Sequence, residues 1–368
     1  MDGPWLSHPR SVQERVIPMI SPAPLVPETA ASWMGKDMAA APERWTRHWT
    51  PGQLEDLFDL ARSVGDTDLT ALDVSSRAPA SLRELADDIR EDLIHRHGFT
   101  LLKGLPIGED DRQTLAVAYL ILGRLIGDPR SQNSAGHLLG HVKDVGGDLA
   151  DPGTRIYQTN NRQSFHTDST DAVGLLCLRT AVSGGRSQLA SAETVYRIVR
   201  ERRPDLAAWL FEPIATDRRG EIPSGADPWF EIPVLSWFDG RLTVIYQRTY
   251  VDSAANLPGA PRPTAEHVEA LDLWDAVVDE PEVHLSMDLE PGDIQFVYNH
   301  SLLHDRTSFV DDADPALRRH LLRLWLSLPG DRHLPPVFAQ RYGSIEIGDR
   351  GGIIVSDTKL TVPLDVDS

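Results

Sequence analysis

Phe165-His166-Thr167-Asp168 puts an imidazole and a carboxylate two positions apart, directly ahead of the apolar run from Ala172 to Ala181. That run reads as a buried strand. Residues two apart on a strand point the same way, whereas on a helix they diverge by about 200°. An extended backbone therefore lets His166 and Asp168 grip one ion, with Thr167 turned away. Two such ligands are half of a binding site. Further along, the stretch from Glu290 to Phe309 offers two more imidazoles, His300 and His304.

The third element of chemistry is a pair of arginines. Laid out as a strand, positions 320, 322, 324, 326 and 328 are His, Leu, Leu, Leu and Leu, while 319, 321, 323, 325 and 327 are Arg, Leu, Arg, Trp and Ser. Arg319 and Arg323 thus share one face, opposite an almost wholly apolar one. An arginine pointing into a protein interior calls for a carboxylate, which its planar fork takes in bidentate fashion. Two histidines and one carboxylate on one face of an octahedral ion leave three positions open, the arrangement of non-haem Fe(II) oxygenases. A 2-oxo acid can chelate through two of these and O2 can take the third.

These pieces resemble the taurine dioxygenase-like (TauD/TfdA) family of Fe(II)/2-oxoglutarate-dependent dioxygenases. The matching stretches are His97 to Pro106, Phe165-His-Thr-Asp168, Gly184 to Ser191, Pro291-Gly-Asp293, Leu303 to Phe309 and Arg318 to Arg323. They fall in the family's order over roughly residues 80–330. The resemblance implies His166, Asp168 and His304 as iron ligands, with His304 preferred over His300 because Arg-Thr-Ser-Phe follows it. It implies Arg319 for the distal carboxylate of 2-oxoglutarate. Ser187 stands where the family usually has a threonine for the same carboxylate, and Arg323 matches a second arginine facing co-substrate or substrate. The implied cofactors are Fe(II), 2-oxoglutarate and O2. The implied reaction is oxidation of an unactivated C–H, by hydroxylation or desaturation, of a small amino-acid-derived or biosynthetic molecule, with release of succinate and CO2. Two other readings are a non-catalytic small-molecule-binding jelly roll and a cupin-like metal-dependent isomerase or hydrolase. The intact triad and Arg319 argue against the first, and the second has no need of the Arg319/Ser187 pair.

The elements that must position these groups follow from pattern. Helices are expected from Thr50 to Val64, from a capping box at Ser81 to His97-Gly98, and from Thr114 to Ile126. Others are expected over Ala192–Arg203 and Thr264–Val278. Strands are expected at Phe99–Lys103, Ser187–Ser191, Val234–Phe238, Leu242–Tyr250, His284–Leu289, Asp293–Tyr298 and Arg319–Leu328. Helices dominate the first half and short strands the second. The expected fold is a double-stranded β-helix, a cupin-like jelly roll, flanked by helices. Residues 1–50, rich in Pro, Ala and Trp, read as an arm that docks on the body or makes a homo-oligomer contact. Residues 51–368 read as one catalytic domain, with lid segments near 131–160 and 205–260. Candidate substrate contacts are Gln158, Asn160 and Asn161 ahead of the metal strand, and Tyr246 and Arg248 on the strand expected at 242–250. Arg306 reads as a structural ion-pair former and Arg318 as outward-facing.

Composition sets the outer limits. The net charge of -19 argues against nucleic acid and anionic membranes as partners. Cys177, the single cysteine, forms no intrachain disulfide and reads as a small buried hydrophobe. The N-terminal sequence has no secretory pattern and no stretch reaches about 20 apolar residues. The expectation is a soluble cytoplasmic protein acting on a small molecule.

Overall fold

A computed structural model describes residues 21–108, 112–148, 153–356 and 358–364. Two sheets face one another. The larger has the strand order Thr46–His48, Phe99–Lys103, Ile294–Tyr298, Ala172–Arg179, His320–Ser327, with Asp128–Pro129 and Leu139–Val142 both pairing on the far side of the last. All pairings are antiparallel except the first, Thr46–His48 beside Phe99–Lys103. The smaller runs His284–Met287, Ser187–Ser191, Leu302–Arg306, Gln163–His166, antiparallel throughout. Together they form the expected double-stranded β-helix.

Alternation along His320–Ser327 decides which side chains reach the interior. Leu322, Leu324 and Leu326 point outward, into a core shared with helices Pro51–Arg62, Ala80–Ile94 and Arg112–Ile126. Leu321 and Trp325 point inward, where they meet Phe99, Val173, Leu189 and Leu302 between the sheets. The smaller sheet is backed by helices Ala192–Arg202 and Ala265–Val278, which bury Val195, Tyr196 and Trp274 against Phe165, Ala190 and Leu303. Among the described residues no helix is long and apolar enough to cross a membrane.

Several local expectations are corrected. The helix expected at Ser81 starts at Ala80 after Pro79, and Ser81 spends its hydroxyl on Asp56 of the preceding helix rather than on a cap. The strand expected over 242–250 ends at Val244, and Arg248–Ala254 is helical. Leu139–Val142, inside the expected lid 131–160, is a sheet strand, because its partner Leu321–Leu324 offers a free edge. Within the expected lid 205–260, Pro213–Asp217 and Trp229–Pro233 are a pair of antiparallel strands. Of the expected arm, residues 1–20 lie outside the described residues. The remainder docks: the indole of Trp33 donates to the His97 carbonyl at 2.8 Å, and Thr29 donates to Glu193 at 2.7 Å.

Candidate active site

His166 and His304 are directly opposite one another on neighbouring strands, with ring centroids 4.1 Å apart. The register between Gln163–His166 and Leu302–Arg306 slips by one residue, Arg306 facing Gln163 and His304 facing His166. Such a bulge lets residues three apart on Gln163–His166 face one side. Gln163 and His166 accordingly line the same cavity. His304 comes after the strand Ile294–Tyr298 has ended, on a further strand, Leu302–Arg306, that the sequence pattern does not predict.

Asp168 is not on a strand. The strand ends at His166, and the chain continues as a loop braced from two sides. Thr167 donates its N–H to the Tyr246 carbonyl and accepts from the Tyr246 N–H on its hydroxyl, at 2.8 and 3.0 Å. The N–H of Asp168 donates to Asn299 Oδ1 at 3.0 Å, and its carboxylate Oδ2 accepts the indole N–H of Trp325 at 2.8 Å. Thr167 is thus turned away and Asp168 turned in, as alternation requires, although a braced loop replaces the strand. One ligand atom from each of His166, Asp168 and His304 falls within a common span of 4.8 Å.

The electrostatics suit a divalent cation. Burial pulls both imidazoles below their ordinary range, His304 to about 3 with His166 adding to the effect. Both are therefore neutral near pH 7, as metal ligation requires. Burial works against ionisation of Asp168, but Arg323, His304, His166 and Trp325 outweigh it and hold the carboxyl below its usual range. The Nδ1 of His166 lies 2.8 Å from the Ser164 carbonyl, which can only accept, so Nδ1 carries the proton and Nε2 presents its lone pair. That lone pair faces the Gln163 amide nitrogen at 2.7 Å. His304 Nδ1 is buried without a partner among the described residues. Two neutral imidazoles with an anionic carboxylate on one side fit a facial two-histidine, one-carboxylate centre.

His300 makes a different cluster. Its Nε2 lies 2.8 Å from Asp171, which also pairs with Arg350 at 2.7 Å, and Arg350 reaches Asp331 at 2.8 Å. All four side chains are enclosed, and the guanidinium takes an oxygen of each carboxylate that an ion there would need. This network is a brace behind Asn299 and the Asp168 loop.

Two cavities meet at the triad. One is lined by Ser187, Arg306, Arg319, Leu289 and Leu321, the other by Arg155, Ile214, Phe230, Ile232 and Arg341. Tyr157, Gln163, His166, Asp168 and Arg323 border both. In the first, Arg319 has no ion-pair partner among the described residues and stacks on Phe309 at 5.2 Å. Burial lowers it to about 10. Gly185, with φ +73°, leaves the room it needs, since a Cβ there would come within 3.0 Å of Arg319 Nε. Ser187 Oγ donates to Gln295 at 2.8 Å and lines the same cavity. Arg323 takes Gln132 at 2.7 Å through Nε and has Nη1 4.0 Å from Asp168.

The expected substrate contacts fare less well. Asn160 and Asn161 are exposed and Gln158 accepts from the Arg155 N–H at 2.9 Å, and none of the three borders either cavity. Tyr246 borders the second cavity, but its hydroxyl donates to Asp275 at 2.7 Å in the opposite direction. Arg248 opens a helix and is spent on Asp252, Asp272 and Asp275. Arg306, expected as an ion-pair former, makes no ion pair among the described residues. It donates to the Thr159 carbonyl at 3.1 Å and faces the first cavity. Tyr157, Gln163, Trp325 and Arg341 are the contributors that sequence reasoning leaves without a role. Only Trp325 carries a signal, its place on the arginine face of His320–Ser327.

Residues 58–325 match the family described as taurine catabolism dioxygenase TauD, TfdA family. The chain is 30% identical over 318 residues to FR-33289 synthase of Streptomyces rubellomurinus, covering 84% of this chain and 93% of that protein. It is 29% identical over 291 residues to a uridine-5'-phosphate dioxygenase of an Amycolatopsis species, covering 74% and 95%. Among solved structures, the non-heme iron oxygenase OrfP with Fe and alpha-ketoglutaric acid superposes with TM-score 0.55 at 16% identity, covering 76% and 93%. Asparagine oxygenase with Fe(II), 3-hydroxyasparagine and succinate gives 0.55 at 19%, covering 77% and 93%. At these identities the structures speak for the fold.

Proposed function

Since the chain belongs to the taurine catabolism dioxygenase TauD, TfdA family, we propose that it oxidises an unactivated C–H bond of a small molecule. It is an Fe(II)/2-oxoglutarate-dependent dioxygenase. Hydroxylation or desaturation of an amino-acid-derived or biosynthetic intermediate is the reaction we assign, with succinate and CO2 as co-products. Relatives named for a nucleotide phosphate and neighbours bound to hydroxylated amino acids support a small polar substrate.

The observation that carries the reading is the pair of cavities sharing His166 and Asp168 as a common wall. Bound iron with 2-oxoglutarate supplies an oxidant able to remove a hydrogen atom from such a bond. His166, Asp168 and His304 would hold the metal. Arg319 and Ser187 would hold the distal carboxylate of 2-oxoglutarate in the first cavity, at a guanidinium without an ion-pair partner among the described residues. The substrate then takes the second cavity, where Ile214, Phe230, Ile232, Val234 and Val251 exclude water from the reacting carbon. Arg323 stands between the two, its guanidinium over Tyr157 at 4.5 Å, and separates co-substrate from substrate.

Turnover with a panel of amino acids, nucleotides and their derivatives tests this. A substrate should accelerate succinate release and leave a product one oxygen heavier or two hydrogens lighter. Isomerisation or hydrolysis of a panel member with no consumption of O2 or 2-oxoglutarate would overturn the assignment.

A further inference from the structure

The second cavity contains a cation that neither the metal nor the co-substrate uses. Arg341 lies on the short helix Ala339–Tyr342, which is pinned to the hairpin strand Trp229–Pro233 by Gln340, whose side chain accepts the Glu231 N–H at 3.0 Å and donates to its carbonyl at 3.1 Å. Its Nε donates to Ser169 Oγ at 2.8 Å, one residue past Asp168 in the chain. The guanidinium lies over Phe230 at 5.7 Å and borders the cavity.

The acids nearby are already committed. Glu221 pairs with Arg155 at 3.2 Å. Asp217 accepts the Arg219 N–H at 2.7 Å and the Ser253 hydroxyl, and lies 3.8 Å from the Arg219 guanidinium. Among the described residues no carboxylate lies within ion-pair distance of Arg341. Glu221 still supports its charge at longer range, against burial and against Arg155. Arg155, Arg219 and Arg341 against Glu221 and Asp217 therefore leave one more cation than anion at this end of the cavity. Arg323, at the metal end, already faces Asp168 and Gln132. A partly desolvated guanidinium with free donors is stabilised by an oxyanion, which its fork can take in bidentate fashion.

We infer that the substrate carries an anionic group, a phosphate, phosphonate, sulfonate or carboxylate, seated on Arg341 beside Arg155. Its oxidisable carbon then extends along the apolar wall toward His166 and Asp168. This rests on the dioxygenase reading above, and it adds an orientation: the charged end lies away from Arg319, so substrate and 2-oxoglutarate do not compete for one arginine.

The test uses the whole protein loaded anaerobically with Fe(II) and 2-oxoglutarate, so that Arg319 is already occupied. Inorganic phosphate, methylphosphonate, methanesulfonate and acetate are titrated separately, with calorimetry and the visible charge-transfer band of the chelate as readouts. At least one anion should bind. Arg341→Met should weaken that binding by about 30-fold or more, as expected on removing one partner of a desolvated charge pair. Glu221→Gln removes the competing acid and should tighten it. Both variants should keep the charge-transfer band unchanged before anion is added. Binding that survives Arg341→Met, binding that Glu221→Gln does not tighten, or no binding of any of the four would overturn the inference. Failure of the unsubstituted protein to form the band at all would instead overturn the dioxygenase reading, because that signal does not involve Arg341.

Discussion

Trp325 donates its indole N–H to Asp168 Oδ2 at 2.8 Å, and both side chains are buried. The bond leaves Oδ1, which faces His166 Nε2 at 4.0 Å, as the oxygen the indole does not hold, while Oδ2 also lies 3.8 Å from His304 Nε2. A carboxylate fixed in this way has one oxygen for a metal and one held by the protein. Such outer partners orient the ligand and tune its basicity.

Trp325→Phe keeps the ring against the core and removes only the donor. Iron affinity should fall by about 10- to 100-fold, the range for losing an outer-shell partner. Anaerobic Fe(II) titration with 2-oxoglutarate in excess measures it. Unchanged affinity would mean that the Asn299 contact to the Asp168 backbone suffices to aim the carboxylate.

The two candidate third ligands separate by phenotype. His304→Ala should abolish the charge-transfer band, as should His166→Ala, while leaving the fold intact. His300→Ala should keep the band but lower stability by roughly 2–5 kcal/mol, the range for large-to-small changes in a packed interior. Denaturant unfolding and the titration together decide the matter. A band lost only in His300→Ala would reverse the assignment.

How far the sequence reaches is clear from these same residues. Period-two alternation puts Arg319, Arg323 and Trp325 on one face without any knowledge of the partner strands, because one side of that strand must meet a helical core. His-x-Asp is legible for the same local reason, even though the second ligand proves to sit in a loop. What is hidden depends on contacts distant in the chain. Tyr246 and Arg248 belong to an apparently continuous strand pattern, but Asp252, Asp272 and Asp275 draw Arg248 into a helix start. Asn160 and Asn161 precede the metal strand in sequence, yet a one-residue bulge brings Gln163 to the cavity instead. Arg341 comes from beyond the jelly roll altogether, and its place rests on Gln340 pairing with a hairpin more than a hundred residues away.

Arg319 and its neighbour test the register of the last long strand. Arg319→Ala leaves the distal carboxylate of 2-oxoglutarate without its partner, a loss of roughly 2–5 kcal/mol for a desolvated pair. The apparent affinity for 2-oxoglutarate should drop by at least about 30-fold. Arg318 is partly exposed, its Nε donating to the Asp312 carbonyl at 3.3 Å, and Arg318→Ala should change little. Equal effects in binding titrations would place the bulge at His320–Leu321 elsewhere.

Gln163 makes the sharpest test of the metal-free arrangement. Its amide nitrogen donates to His166 Nε2, the lone pair that a metal must take. Metal binding therefore has to displace this hydrogen bond, and Gln163 has to turn toward one of the two cavities it borders. Removing the competitor with Gln163→Ala should tighten Fe(II) binding by the net worth of one hydrogen bond, about 0.5–1.5 kcal/mol, or roughly two- to twelvefold. His166 keeps its tautomer in the variant, because Nδ1 still donates to the Ser164 carbonyl. The gain should appear in Fe(II) titrations both with and without 2-oxoglutarate, since Gln163 competes for the imidazole and not for the chelate. Weaker Fe(II) binding in Gln163→Ala would assign the amide the opposite role, that of a support which stays with the centre once the metal is in place.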